Sequence, residues 1–312
     1  MAELELLRSL PFELAGPSEE ARARARGRLL RHARHSRTAR RRRLLVPAVA
    51  LAGAGVAAAL IGVGTHGDGN AAAAVALRQA AAVARTRPAP PPVRAGEFWY
   101  TKSIQAFIDS APEQGWSALV PRVREIWQGP SGGLLREHSG KPEFLTEDDR
   151  RHWIAAGRPQ VEPPTSSTAL SPSPSRNLPS DANALYAAFH QQAEGNGNGT
   201  DAEMFTLVGD ALRETDEPPA VRAALYEVAG RIPGVQLLGP VTDRSGRTGL
   251  AVAYDSSAGI RSELIFDRST SALLEERDVA LEGNHFGYAP GTVTGFATYV
   301  SSGVVKRLGV TP

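Results

Sequence analysis

Pro218–Phe266 reads PPAVRAALYEVAGRIPGVQLLGPVTDRSGRTGLAVAYDSSAGIRSELIF, and this stretch decides the fold class. The two prolines open a helix, because its first turn has no use for their missing N–H. Val221, Leu225 and Val228 then recur at helical spacing through Ala229. Beyond Gly230 the helical pattern ends and β structure is expected to return. Val235–Val241, Thr248–Tyr254 and Arg261–Phe266 read as strands, with Arg244-Ser-Gly and Ser256-Ser-Ala-Gly as turns. Leu273–Leu281 follows after Asp267-Arg-Ser-Thr, and Val293–Ser301 comes last. Connections this short join antiparallel neighbours, so a meander is expected.

Upstream lies a helical block. Ser180-Asp181 caps Ala182–Ala193, with Leu185, Tyr186 and Phe189 on one face, and Asp201 caps Glu203–Arg213. Residues 159–180, rich in Pro, Ser and Thr, read as an exposed loop or linker. Phe144–Ala156 is expected to be helical, capped by Thr146, with Trp153 and Ile154 inward. Before it, Gly96–Ile108 and Leu119–Gln128 read as strands, and Pro130-Ser-Gly-Gly turns the chain into a third at Leu134–Glu137. Strands, then helices, then strands give an α+β fold: a curved antiparallel sheet, half-barrel-like, packed with helices.

The N-terminal part differs in kind. Leu44 to Gly64, LLVPAVALAGAGVAAALIGVG, has no charged, amide or hydroxyl side chain and is long enough to span a bilayer as a helix. Arg40, Arg41, Arg42 and Arg43 precede it and Thr65-His-Gly-Asp-Gly follows, so the positive-inside rule places the N-terminus in the cytoplasm. A cleaved export signal is the rival reading, with Ala71–Ala74 as cleavage site, but 43 residues before the apolar run are many for such a signal. Residues 65–95 read as a juxtamembrane helix followed by Pro88-Ala-Pro-Pro-Pro, a stiff break. The expected organisation is a cytoplasmic Arg-rich tail (1–43), a transmembrane helix (44–64), that connector, and an extracytoplasmic domain (96–312).

Charge follows the same division. The 312 residues carry a net +2, yet residues 1–43 hold twelve arginines against five glutamates, or +7. The remainder holds 23 basic against 28 acidic residues, or −5. Basicity therefore belongs to the tail, which excludes reading the whole chain as a nucleic-acid binder. The tail suits either contact with anionic lipid headgroups or docking of a cytoplasmic protein.

Few catalytic classes have support. There is no Cys, which removes disulfides, thiolate metal sites and thiol nucleophiles. The seven histidines, at 32, 35, 66, 138, 152, 190 and 285, form no metal-ligand spacing. Glu147, Asp148 and Asp149 suit a solvated helix N-terminus. No nucleophile elbow, P-loop or dinucleotide fingerprint occurs, so no cofactor is called for. The aromatic residues Trp99, Tyr100, Trp127 and Trp153 are either core or the lining of an apolar groove for a lipid or peptide.

Several stretches carry a resemblance: MAELELLRSL, ARARGRLL, EFWYTKS, EIWQGPSGG and FLTEDDRRHWIAAGRP, then LPSDANALYAAF. MFTLVGDALRETDEPPAVRAALYEVAGRIPGVQLLGPVTDRSGRTGLAVA, ELIFDRSTSALLEER and PGTVTGFATYVSSGVV extend it over nearly the whole chain. They resemble an actinobacterial family of single-pass membrane proteins, named by locus tags, often found beside extracytoplasmic-function sigma-factor genes. The resemblance implies a membrane tether and a link to envelope signalling, and brings no catalytic residues with it. The outer domain is more loosely similar to lipoprotein-carrier and RseB-like half-barrels, a likeness of fold.

The expected function is thus a non-catalytic, membrane-anchored extracytoplasmic sensor or accessory regulator with a protein partner in a sigma-factor pathway. A tethered lipid- or lipoprotein-binding domain is the alternative, and an enzyme the third. The tail is short and lacks the His/Cys pattern of zinc-containing anti-sigma domains, which argues against direct sequestration of a sigma factor.

Overall fold

Two antiparallel meanders share one sheet, joined where the first strand of one meets the last strand of the other. The computed structural model describes residues 66–172, 178–195, 199–213, 217–284 and 287–312. Helix α1 (His66–Thr86) leads into β1 (Phe98–Ala111), β2 (Trp116–Leu119), β3 (Arg122–Gly129) and β4 (Gly132–Ser139). Then come α2 (Glu147–Ala155), β5 (Thr165–Leu170), α3 (Ala182–Ala193), α4 (Thr200–Leu212) and α5 (Pro219–Ala229). The second meander is β6 (Gln236–Thr242), β7 (Thr248–Asp255), β8 (Ile260–Phe266), β9 (Leu273–Ala280) and β10 (Val293–Val305).

The strand order is β5-β4-β3-β1-β10-β9-β8-β7-β6, every neighbour antiparallel, with β2 on the far end of β1. The seam pairs Phe98 with Val305 and Phe107 with Gly295. One β10 residue is extra: Lys102 faces Ser301 and Ser103 faces Tyr299, so Val300 bulges out. Hairpins legible as turn signals form as expected, and β3–β4 demands glycine at its tip. A Cβ on Gly133 would lie 1.9 Å from the Trp127 carbonyl oxygen, inside any contact distance.

Helices cover one face of the second meander. Leu185 and Phe189 of α3, Phe205 and Val208 of α4, and Leu225 and Val228 of α5 pack onto Leu250, Val252, Leu264 and Phe266. Each large apolar side chain buried this way stabilises by about 1.5–3 kcal/mol. The helix expected ahead of the folded domain is part of this core. Ala73, Leu77, Ala80, Ala81 and Ala84 of α1 are buried in it, their small side chains allowing close approach to α5. On the other face, Ile104, Ala106, Leu119 and Phe296 form one cluster and Ala251, Ile265 and Leu274 another.

Four expectations are corrected. The loop at 159–180 contains β5, which pairs with β4 from His138–Thr165 to Gly133–Leu170. The single strand expected at Leu119–Gln128 is broken at Val120-Pro121, where proline lacks the ladder donor, into β2 and β3. Helix α2 has its Thr146 cap, which accepts from the Asp149 N–H, but it buries no residue, and Ile154 is 37% exposed. Helix α4 starts at Thr200 after Gly199, so Asp201 lies in the first turn and favours the helix dipole rather than capping it. The span at 44–64 and the Arg40–Arg43 cluster lie outside the described residues. Among the described residues no helix is long and apolar enough to cross a membrane.

Candidate functional site

Where α1 ends, Pro88 stops the helix and the chain crosses to β1, leaving a cleft of about 350 Å³ between the helix layer and the seam. Trp99 and Thr101 of β1 and Tyr299–Ser302 of β10 form its floor. Arg87, the α5 residues Pro219 and Arg222, and Glu217 form one wall, and the β8–β9 turn with Arg247 forms the other.

Each wall is held by a specific contact. The Tyr226 hydroxyl, buried on α5, donates to the Ser271 carbonyl at 2.6 Å, pinning the β8–β9 turn to the helix. Burial pushes this hydroxyl's pKa up, so it remains a donor. Ser271 sits at φ 57°, the left-handed region that a non-glycine residue seldom adopts. Asp267 holds the same turn by accepting from the Ser269 and Thr270 N–H groups, each at 2.8 Å. The Ser269 hydroxyl and these backbone donors hold the Asp267 carboxyl below its usual range despite partial burial.

Arg247 crosses from the β6–β7 turn to the seam. Its Nε donates to Asp243 at 2.6 Å, and Nη2 donates to the Leu274 and Tyr299 carbonyls at 3.1 and 2.7 Å. The Tyr299 carbonyl precedes the bulge, where the ladder is interrupted, so this arginine supplies a structural donor there. The Tyr299 hydroxyl donates to Glu276 Oε1 at 2.5 Å, while Arg213 donates to Glu276 Oε2 at 2.7 Å. Burial raises the Glu276 carboxyl above its ordinary value, against the opposing pull of Arg213. For Arg213, burial acts downward, but Glu276, Tyr299 and Asp210 outweigh it and the guanidinium is firmly charged.

Two groups of the floor find no partner among the described residues. Thr101 is 4% exposed, and among the described residues neither its hydroxyl nor the Trp99 indole N–H has a hydrogen-bond partner. A buried donor or acceptor without a partner costs about 1–3 kcal/mol, which marks these groups as candidates for recognition. Val300, turned out by the bulge, leaves an apolar side chain 41% exposed in the cleft. Neither Arg87 nor Arg222 makes an ion pair among the described residues.

The four aromatic residues singled out in the sequence do not line one groove. Only Trp99 faces this cleft. Tyr100 and Trp127, on the opposite face, are cross-strand partners with ring centroids 5.2 Å apart and no exposure. Val305 packs on them, and Trp127 Nε1 donates to the Val310 carbonyl at 2.7 Å. Trp153 packs on Phe144 at 5.1 Å, donates to the Pro159 carbonyl and lines a second cavity of about 270 Å³. Alternation along β1 separates Trp99 from Tyr100, and the register with β3 puts Trp127 beside Tyr100. Sequence reasoning missed Arg87, Arg222, Glu217 and Val300, which come from separate segments. Among the described residues no three His, Asp or Glu side chains are placed to share a metal ion.

No protein-family profile matches the chain, and no curated protein matches it. Solved structures similar to it include the Pseudomonas aeruginosa MucA/MucB complex, at 11% identity over 77% of this chain and 58% of that one, with TM-score 0.26. MucB in complex with MucA(peri) aligns at 10% identity over 75% and 56%, with TM-score 0.27. MucB alone aligns at 12% over 78% and 60%, with TM-score 0.27. The chain thus spans less than two thirds of the length of these proteins, and TM-scores of this size do not establish a common fold.

Proposed function

We propose that this chain is a non-catalytic recognition protein, a membrane-anchored extracytoplasmic sensor or accessory regulator in a sigma-factor pathway. Its folded domain binds a protein partner in the cleft at the β1–β10 seam. The observation that carries the reading is the pair of buried groups there, the Trp99 N–H and the Thr101 hydroxyl, which are unpaired among the described residues. Beside them are two arginines that make no ion pair among the described residues, and an apolar side chain turned outward by a bulge. Such a lining suits recognition of a ligand that brings acceptors and apolar surface. The apolar run 44–64 after Arg40–Arg43 supports an anchor, and the +7 tail supports contact with lipid headgroups or a cytoplasmic protein.

The test is site-specific photo-crosslinking of the full chain in its native membrane. A crosslinker at Val300 is expected to capture one partner, whereas the same group at exposed Thr168 of β5 is not. Thr101→Val is expected to reduce the Val300 product. Recovery of a sigma factor from solubilised membranes is expected to require residues 1–43. Identical products from both positions would overturn the cleft reading, and identical partners without residues 1–43 would overturn the signalling role of the tail.

A further inference from the structure

Resting on the reading of the cleft as the recognition site, we propose the chemistry of what it recognises. The ligand is an extended peptide segment of a partner protein that presents one carboxylate next to an apolar side chain. The carboxylate lies between Arg87 and Arg222, and the apolar side chain covers Val300.

Charge complementarity comes first. Arg87 and Arg222 approach the cleft from two segments and make no ion pair among the described residues. Arg222 lies in the first turn of α5, an eleven-residue helix whose N-terminus no side chain caps and whose dipole favours an anion at that end. A guanidinium accepts a carboxylate through two parallel hydrogen bonds. The second, independent observation is Thr101, nearly fully buried in the floor with its hydroxyl unpaired.

Glu217 narrows the class further. It lines the same cleft and is 8% exposed, so it opposes a multiply charged anion such as a phosphate monoester. A peptide segment with a single carboxylate brings less negative charge near Glu217. Its carbonyls answer the Trp99 N–H, which an acyl chain does not. Specificity comes from those unpaired groups, because a ligand that fails to satisfy them leaves them buried and unpaired.

The test uses the full chain and three probes: a dye-labelled eight-residue peptide ending in leucine with a free carboxylate, the same peptide as its amide, and decanoate. Fluorescence anisotropy is expected to show the free acid bound at least tenfold more tightly than the amide. Arg222→Gln is expected to lose that preference, with partial rescue by Arg222→Lys. Thr101→Val is expected to weaken binding of both peptides while raising the unfolding midpoint of the ligand-free protein, opposite signs that a merely structural role does not produce. Equal binding of acid and amide, both weakened by Thr101→Val, would overturn the carboxylate and leave the cleft reading standing. Decanoate displacing the peptide at equal or lower concentration would assign the site to acyl chains and overturn the peptide. Absence of binding by all three probes overturns the proposed chemistry, while crosslinking from Val300 decides the cleft separately.

Discussion

Replacing Trp127 by Phe, alone and together with a stop after Lys306, measures how firmly the C-terminal segment is held to the sheet. Trp127 has no exposure, packs 5.2 Å from Tyr100, lies 5.1 Å beneath the Arg136 guanidinium and donates to the Val310 carbonyl at 2.7 Å. Phenylalanine keeps a ring against Tyr100 but removes the donor. The lost hydrogen bond costs about 1 kcal/mol and the small void about another 1 kcal/mol, so Trp127→Phe is expected to cost about 2 kcal/mol. Removing residues 307–312 takes away the acceptor and uncovers the indole, at a cost of about 1–2 kcal/mol. The hydrogen bond is lost once in either background. The double change is therefore expected to fall short of the sum by about 1 kcal/mol. Urea unfolding followed by far-ultraviolet circular dichroism reads this directly. With a slope of about 1–3 kcal/mol per molar, 1 kcal/mol displaces the midpoint by about 0.3–1 M. Additivity to within about 0.3 kcal/mol would refute the claim that the indole N–H anchors the segment.

Asp267→Ala, which removes the acceptor for two turn N–H groups, is expected to cost about 1–2 kcal/mol at neutral pH. The folded-state pKa is depressed, so this stabilisation is present above the usual value of 3.8 and is lost as pH falls through the lower folded value. Melting curves of both proteins are therefore expected to converge at acid pH. Gly133→Ala places a Cβ against the Trp127 carbonyl and is expected to cost about 2–3 kcal/mol. By contrast, Gly283→Ala, with open space but φ 72°, is expected to cost about 1 kcal/mol; denaturation midpoints separate the two. Glu276→Leu takes from Arg213 one of its two carboxylate partners, leaving Asp210 at 2.7 Å, and removes the acceptor of the Tyr299 hydroxyl, so it is expected to cost about 2 kcal/mol in urea denaturation, less than a guanidinium with no partner would.

Helix α5 and the meander from β6 to β10 were legible because burial there, continuous over Gly249–Ala253 and almost all round α5, demands apolar runs bounded by turn residues. Val221, Leu225 and Val228 are buried, as are Leu250, Val252 and Ala253. Strand β5 was not legible because Thr165–Leu170 is an edge strand with mostly exposed side chains, so no apolar alternation is needed there. Helix α1 looked like a connector because alanine packs by closeness rather than bulk, and that leaves little signal in an apolar count. The seam was equally silent: residues 98 and 305 are paired by the sheet, and no local pattern announces so distant a partner. Trp99 was singled out from its type alone. What gives it a place in a cleft is alternation along β1, the Val300 bulge and two arginines more than a hundred residues apart.

The seam also sets an order of events during synthesis. β1 is among the first segments of the folded domain to leave the ribosome, and β10 emerges only after the other nine strands. Until then the first meander has an open edge along β1, and the second lacks its terminal strand. Contacts separated by about two hundred residues form slowly, because a long loop must close first. The nascent domain therefore passes through a stage with an unpaired, partly apolar strand edge, the form most open to mispairing or capture by a chaperone.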